Sequence, residues 1–131
     1  MQVNQWFKRM LRASAAIPGG VFGVGASVTQ GTSRTTGVTI NSLSGSITLV
    51  SAAGSTTPAS FTVTNNKVAA GDVIHLSQKS GTDKYSLDVP AITDGSFEIT
   101  SNTKSGTTTE QPVFNFVVLK ANTTAALDAA N

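Results

Sequence analysis

Apolar and polar residues alternate along most of this chain with a period of two, which is the pattern of β-strands. The most apolar stretch is PVFNFVVLK, from Pro112 to Lys120. One face of this strand carries Phe114, Phe116 and Val118, and the other face carries Val113, Asn115, Val117 and Leu119. A strand in a two-layer sandwich normally shows one polar face to water. Because both faces are apolar here, we expect a second cover, supplied by another segment or another subunit.

Shorter alternating runs lie upstream, separated by loops rich in Gly, Ser, Thr and Asn. They predict strands at 24–29, 37–41, 44–51, 59–65, 72–78, 84–93 and 96–103. In the run 84–93, the residues expected to face the core are Tyr85, Leu87, Val89 and Ala91. Pro90 predicts an edge position or a bulge, and Asp94-Gly95 predicts a tight hairpin. About eight strands without an intervening helix predict an all-β fold, an antiparallel β-sandwich or jelly roll, over residues 21–121.

The two ends of the chain lack this alternation. Residues 1–20 place Trp6, Phe7, Met10 and Leu11 on one helical face, flanked by Lys8, Arg9 and Arg12 and ended by Pro18-Gly19-Gly20. This pattern predicts a short amphipathic N-terminal arm. A frayed terminus is one interpretation, because isolated helices below ~12 to 15 residues are only marginally stable in water. The others are an arm that docks on a partner and a segment that binds weakly to a membrane surface. Residues 122–131 carry little apolar surface and predict a flexible C-terminal tail.

Charge and composition exclude several classes of function. Nine basic and seven acidic residues give a formal net charge of +2, and the first dozen residues supply that excess. We therefore expect no nucleic-acid partner, since a nucleic-acid-binding domain spreads Lys and Arg over one face. Cysteine is absent, so neither disulfides nor thiolate metal sites hold the fold. No apolar run approaches the ~20 residues of a membrane span or the 7 to 15 of a signal peptide, which predicts synthesis in the cytoplasm and no membrane partner.

The residues that commonly carry catalysis are scattered. His75 is the single histidine and stands in mid-strand, where a triad or a zinc site would need further partners. The acids show no calcium-loop spacing. Asp88 and Glu98 could face each other across the Asp94-Gly95 hairpin, although two solvated acids on outer faces is the simpler interpretation. We expect no enzyme activity, no catalytic or metal-ligating residue and no cofactor.

Five motifs between Ala59 and Lys120 occur in a fixed order. They are F-x-V-x-N, D-V-I, Q-K-S-G-T-D-K-Y, G-S-F-x-I and P-x-F-N-F-x-V-x-K, preceded by VTQGTSRTTGVTIN from Val28 to Asn41. This order resembles small structural proteins of tailed bacteriophages and prophages, several of which are β-sandwich capsid decoration (cement) proteins. The resemblance implies a structural protein of the virion and leaves its position in the virion open. Membership of the decoration proteins would place it on the capsid surface, with the major capsid protein as partner. The resemblance does not include the N-terminal arm.

Three functions follow from these observations. The first is a capsid decoration protein that binds the capsid exterior, forms a homo-oligomer with a trimer favoured, and stabilises contacts between capsomers. Its capsid-binding residues would be Trp6, Phe7, Arg9, Met10, Leu11 and Arg12, and its oligomer interface would be Val113, Asn115, Val117 and Leu119. The second is a tail-fibre or head-fibre module that binds a host surface. The third is a carbohydrate-binding module, for which an exposed aromatic cluster is expected.

Overall fold

The computed structural model describes residues 25–121, and within this range the chain forms ten β-strands and no helix. The strands are β1 (Ala26–Thr29), β2 (Val38–Thr39), β3 (Ser44–Thr48), β4 (Ala52–Ala53), β5 (Ala59–Thr64), β6 (Val73–Ser80), β7 (Tyr85–Thr93), β8 (Ser96–Thr103), β9 (Thr109–Glu110) and β10 (Val113–Leu119). The predicted all-β sandwich is confirmed. The N-terminal arm and the C-terminal tail predicted from the sequence lie outside the described residues.

Two four-stranded sheets form the sandwich. Sheet A has the strand order β1-β3-β10-β6 and sheet B has the order β2-β5-β8-β7. Their inner faces meet in one core, in which Phe116 of β10 packs on Phe97 of β8 and Phe114 of β10 packs edge-on against Tyr85 of β7. The apolar stretch found first in the sequence is therefore a central strand, paired with β3 on one side and with β6 on the other.

Burial follows the period of two wherever a strand is regular. In β8 and β10 every second side chain is buried. The buried apolar side chains come from both sheets: Val38, Ile40, Ile47, Leu49, Phe61, Val63, Val68, Tyr85, Phe97, Ile99, Phe114, Phe116 and Val118. Because burying a large apolar side chain is worth about 1.5 to 3 kcal/mol, this alternation is enough to fix which face of each strand meets the core.

Two strand pairs are parallel, where the sequence predicted an antiparallel sandwich throughout. β1 pairs with β3, and β2 pairs with β5, in parallel. In each pair the chain visits the opposite sheet between the two strands, so no short hairpin connects them. Parallel neighbours require such a crossover connection, whereas a tight turn would have forced them antiparallel.

The β7–β8 hairpin confirms the prediction for Asp94-Gly95, and Gly95 has a φ of 86° there, which glycine adopts without strain. β7 is an edge strand of sheet B, and its register shifts between Asp88 and Ala91, around Pro90. The prediction of an edge or a bulge at Pro90 is thus confirmed. The expected inward position of Ala91 is wrong, because the bulge shifts the alternation, leaving Ala91 exposed and Ile92 packed against the core.

A short third sheet joins two segments that the sequence predicted as loops. β4 pairs with β9 over two residues each, Ala52 opposite Glu110 and Ala53 opposite Thr109. This pairing brings the connection after β3 against the connection after β8, at one end of the sandwich. Side chains from the neighbouring loops close this end, as described below.

Candidate interaction surface

The outer face of sheet A carries an apolar strip. It consists of Val113, Val117 and Leu119 on β10 and Val73 on β6, where Leu119 lies directly opposite Val73. Val73 is 59% exposed and Leu119 is 44% exposed, and these are the exposed large apolar side chains of the described residues. Val113 and Val117 are half-buried. We call these four residues the exposed strip.

Asn115 lies within the strip but is not a bare polar group. Its Oδ1 accepts a hydrogen bond of 2.7 Å from Ser46 Oγ on β3, the residue directly opposite it. The amide oxygen therefore has a partner within the sheet, and burying it in an interface would not leave it unpaired, which would cost about 1 to 3 kcal/mol. The strip is therefore apolar at its two ends, and the amide oxygen at its centre has a hydrogen-bond partner.

The predicted second cover of β10 is not supplied by residues 25–121, because Val73 and Leu119 are open to solvent. Next to the strip, a shallow depression of about 300 Å³ runs over β1, β3 and β10. Small residues such as Gly25, Ser44 and Gly45 line it, and no charged side chain does. The depression is therefore concave but lacks the converging polar groups that orient a ligand in a binding pocket.

The polar residues considered as catalytic candidates do not come together in the described part of the chain. His75 is exposed on the outer face of β6, opposite Val117. Asp88 lies opposite Thr100, and Glu98 lies opposite Ala91, so the bulge in β7 prevents the carboxylate pair considered from the sequence. Within residues 25–121 no group of three His, Asp or Glu side chains is placed to hold a metal ion.

Arg34 is the centre of a cluster that closes the end of the sandwich near β4 and β9. Its Nε donates to Val50 O and its Nη2 donates to Ala52 O and Glu110 O, each at 2.8 Å. Its guanidinium also lies 6.0 Å from the ring centroid of Tyr85. The fork of the guanidinium thus ties the connection after β1 to both strands of the short third sheet.

Two acids extend this cluster. The Glu110 carboxylate accepts hydrogen bonds from the backbone N–H groups of Thr82 and Asp83, the second at 2.9 Å. The Asp83 carboxylate accepts two hydrogen bonds of 2.8 Å from Thr108, one from its N–H and one from its hydroxyl. We call Arg34, Asp83 and Glu110 the loop clamp, because together they hold four connections in place.

Glu110 has a pKa below its ordinary value. The hydrogen bond from the Thr82 N–H is the main cause, and it acts against partial burial and the nearby charge of Asp83, which both raise the pKa. Hydrogen bonds to the charged form favour that form. Glu110 is therefore held as a carboxylate by structural contacts, which is the opposite of the raised pKa that a general acid needs.

Asp72 forms a second buried acid site at the opposite end of β10. Its side chain is 2% exposed and pairs with Lys120 Nζ at 2.5 Å, and it also accepts hydrogen bonds from Ala69 N at 2.9 Å and Ala121 N at 3.2 Å. Burial raises its pKa, but these hydrogen bonds and the charge of Lys120 outweigh burial, so the net pKa is lowered. We call this arrangement the Asp72 clasp, since it ties the end of β10 to the start of β6.

The sequence-predicted site residues divide into two groups. Val113, Asn115, Val117 and Leu119 lie together on the outer face of sheet A. The six residues of the arm, Trp6, Phe7, Arg9, Met10, Leu11 and Arg12, lie outside the described residues. Sequence reasoning missed Val73, whose contribution to the strip depends on the pairing of β6 with β10, and it missed the loop clamp.

Protein-family models, curated proteins and solved structures each gave no match to this chain. The part of the chain between residues 25 and 121 also contains no helix that is long and apolar enough to cross a membrane. A functional proposal therefore depends on the exposed strip and on the motifs between Val28 and Lys120.

Proposed function

We propose that this chain is a structural protein of a tailed-phage virion, and specifically a capsid decoration protein that binds the capsid exterior and stabilises contacts between capsomers. The observation that carries the proposal is the exposed strip. It lies on the outer face of a four-stranded sheet, it is apolar at both ends, and its two most exposed members have no cover within residues 25–121. Exposed apolar patches of this kind mark protein interfaces.

The character of the other surfaces supports a binding role for the strip over a role in recognising sugars. All described aromatic side chains are buried, namely Phe61, Tyr85, Phe97, Phe114 and Phe116. Stacking on a sugar ring needs an exposed aromatic face. The alternative of a carbohydrate-binding module therefore finds no aromatic platform in the described part of the chain, whereas the strip offers aliphatic surface suited to another protein.

Within the virion, the strip would be buried against a neighbouring subunit, either another copy of this chain or the major capsid protein. The N-terminal arm would supply a second contact through Trp6, Phe7, Met10 and Leu11. Burying each of these side chains is worth ~1.5 to 3 kcal/mol, which only partly offsets the entropy of ordering the segment. Several arms acting together on one capsid would therefore be needed for firm attachment.

The experiment that tests this proposal measures binding to capsid shells. Full-length chain is mixed with shells of the major capsid protein from the same phage, and bound copies are counted after sedimentation and located by cryo-electron microscopy. We expect ordered copies on the exterior of the shell. Copies found in the tail or in fibres of purified virions, with no binding to shells, would overturn the decoration role in favour of a fibre module.

Two variants show which surface binds. Val73→Ser combined with Leu119→Ser removes the two most exposed side chains of the strip, which lie opposite each other at one end of it. The matched control is Thr62→Ser with Ala91→Ser on sheet B, whose side chains are also exposed. We expect the strip variant to bind shells at least about tenfold more weakly, because two apolar contacts of ~1 kcal/mol each are lost.

A chain that begins at Val21 should fold normally but bind shells weakly, and unchanged binding would mean that the arm is a passive terminus.

A further inference from the structure

Among the edge strands that the structure describes, one is not protected against pairing with another chain. β1 and β2 are four and two residues long, and β7 carries Pro90 and a bulge, all of which limit edge-to-edge pairing. β6 is eight residues long. From Val73 to Ser77 it contains no proline, bulge, Lys or acid, and its partner among the described strands is β10, on one side alone.

The inner face of this edge is also incompletely covered. Ile74 and Leu76 point to the core and are half-buried, while Val73, His75 and Ser77 are exposed on the outer face. A strand added beside β6 would cover Ile74 and Leu76 further and would pair with the backbone on the side of β6 away from β10, where no strand of residues 25–121 lies. The added strand must itself present apolar residues on the inner face at matching positions.

β6 matches itself in one antiparallel register. Residues directly opposite each other in an antiparallel pair share a face. When two copies of β6 pair about a two-fold axis at His75, Ile74 lies opposite Leu76 of the second copy, and Leu76 lies opposite Ile74. An axis at Leu76 or at Ser77 places Gln78 opposite one of these apolar residues instead. The axis at His75 is therefore the register that pairs both apolar residues with apolar residues.

We infer that β6 is a self-association strand, and that a second copy of this chain pairs with it in the antiparallel register centred on His75. The two A sheets then form one continuous eight-stranded sheet. A two-fold interface requires a patch that complements itself, which β6 does in this register. The result is a dimer, in contrast to the trimer that the resemblance to decoration proteins favours, and it places two exposed strips on one continuous surface.

The register can be tested with single cysteines, because the chain contains none. Directly opposite residues have Cα atoms about 4.5 to 5.5 Å apart, which a disulfide can span. His75→Cys therefore places two thiols opposite each other across the axis. Ser77→Cys is the matched control, since it lies on the same exposed face but about 13 Å along the strand from its copy.

Each full-length variant is incubated at about 100 μM with oxidised glutathione, because an interface of a few residues is expected to be weak, and is then run on a non-reducing gel. We expect His75→Cys to form at least about tenfold more covalent dimer than Ser77→Cys. Equal cross-linking of the two variants, or no cross-linking of His75→Cys, would overturn the register.

Sedimentation of the unmodified chain provides an independent measurement. We expect a monomer–dimer equilibrium that His75→Lys weakens about fivefold, because two like charges then lie directly opposite, while Thr62→Lys on the outer face of sheet B leaves it unchanged. A monomer at every concentration, a trimer, or equal effects of the two variants would overturn the inference. Since these experiments contain no capsid, their outcome is independent of the decoration role.

Discussion

The Asp72 clasp gives the sharpest test of how this sandwich holds its last described strand. Replacing Asp72 with Ala removes three hydrogen bonds, from Lys120 Nζ, Ala69 N and Ala121 N. The carboxylate is almost fully buried, whereas the Lys120 side chain is 43% exposed. The ion pair is therefore partly screened by water and should contribute about 1 kcal/mol or less. The remaining stabilisation comes from the two backbone N–H groups.

Hydrogen bonds to a charged group are worth about 1.5 to 3 kcal/mol when one partner is removed. We therefore expect Asp72→Ala to lower the free energy of unfolding by about 2 to 3 kcal/mol, and Lys120→Met, which keeps the aliphatic stem, to lower it by about 1 kcal/mol or less. Urea unfolding at pH 7, followed by circular dichroism, measures both. The dependence of the free energy on urea should stay unchanged, so that the shift in midpoint reports stability alone.

Equal losses in the two variants would refute this reasoning, because they would mean that the contacts of Lys120 Nζ, with Asp72 and with Lys67 O at 2.8 Å, and not the backbone contacts of Asp72 hold this end of the sandwich. A loss below about 0.5 kcal/mol for Asp72→Ala would also refute it, since that is the range of an ordinary surface substitution. Hydrogen exchange adds a local measurement. The Ala69 and Ala121 amides should exchange faster in Asp72→Ala than in Lys120→Met.

Three further predictions concern the loop clamp and acid stability. Arg34→Lys should cost about 2 to 3 kcal/mol in urea unfolding, because an ammonium group cannot reach three carbonyls in the geometry of the guanidinium. Gly106→Ala should cost about 1 to 3 kcal/mol in thermal unfolding, since its Cβ would overlap the carboxylate of Asp83, whereas Gly31→Ala, with no atom within 4 Å, should cost almost nothing. Glu110 and Asp72 have lowered pKa values, so the stability they contribute is complete above the unfolded pKa of about 4 and is lost as the pH falls through their folded pKa values. Urea midpoints measured between pH 2 and 7 should show this loss of stability. The loss on acidification should be smaller in the Glu110→Gln variant.

The period of two was sufficient to predict most of the sandwich. It identified β10 as a strand with two apolar faces, and it placed Phe114 and Phe116 in the core. It could not distinguish parallel from antiparallel pairing, because alternation is the same in both directions. This is why the pairs β1–β3 and β2–β5 were not anticipated. Pro90 signalled the bulge in β7, but not that the bulge would turn Ala91 outward.

The exposed strip was partly predicted and the loop clamp was not. Val113, Val117 and Leu119 follow from one strand, but Val73 joins them only through the register of β6 against β10. Arg34 and Glu110 are 76 residues apart, and both stand in polar connections without any periodic pattern. Such contacts depend on how the loops meet after the sheets have formed, which local sequence does not encode.

The position of β10 has a consequence for the biosynthesis of this protein. β10 is the last described strand in the chain, yet it lies between β3 and β6 and is their link within sheet A. While a ribosome is still making residues 113–119, the strands of sheet B are already complete, but β3 and β6 have no common partner. Sheet A can close only after Leu119 has left the exit tunnel. Until then Ile47 and Leu76 lack part of their cover, and strands exposed in this way are prone to aggregation while the chain is being made.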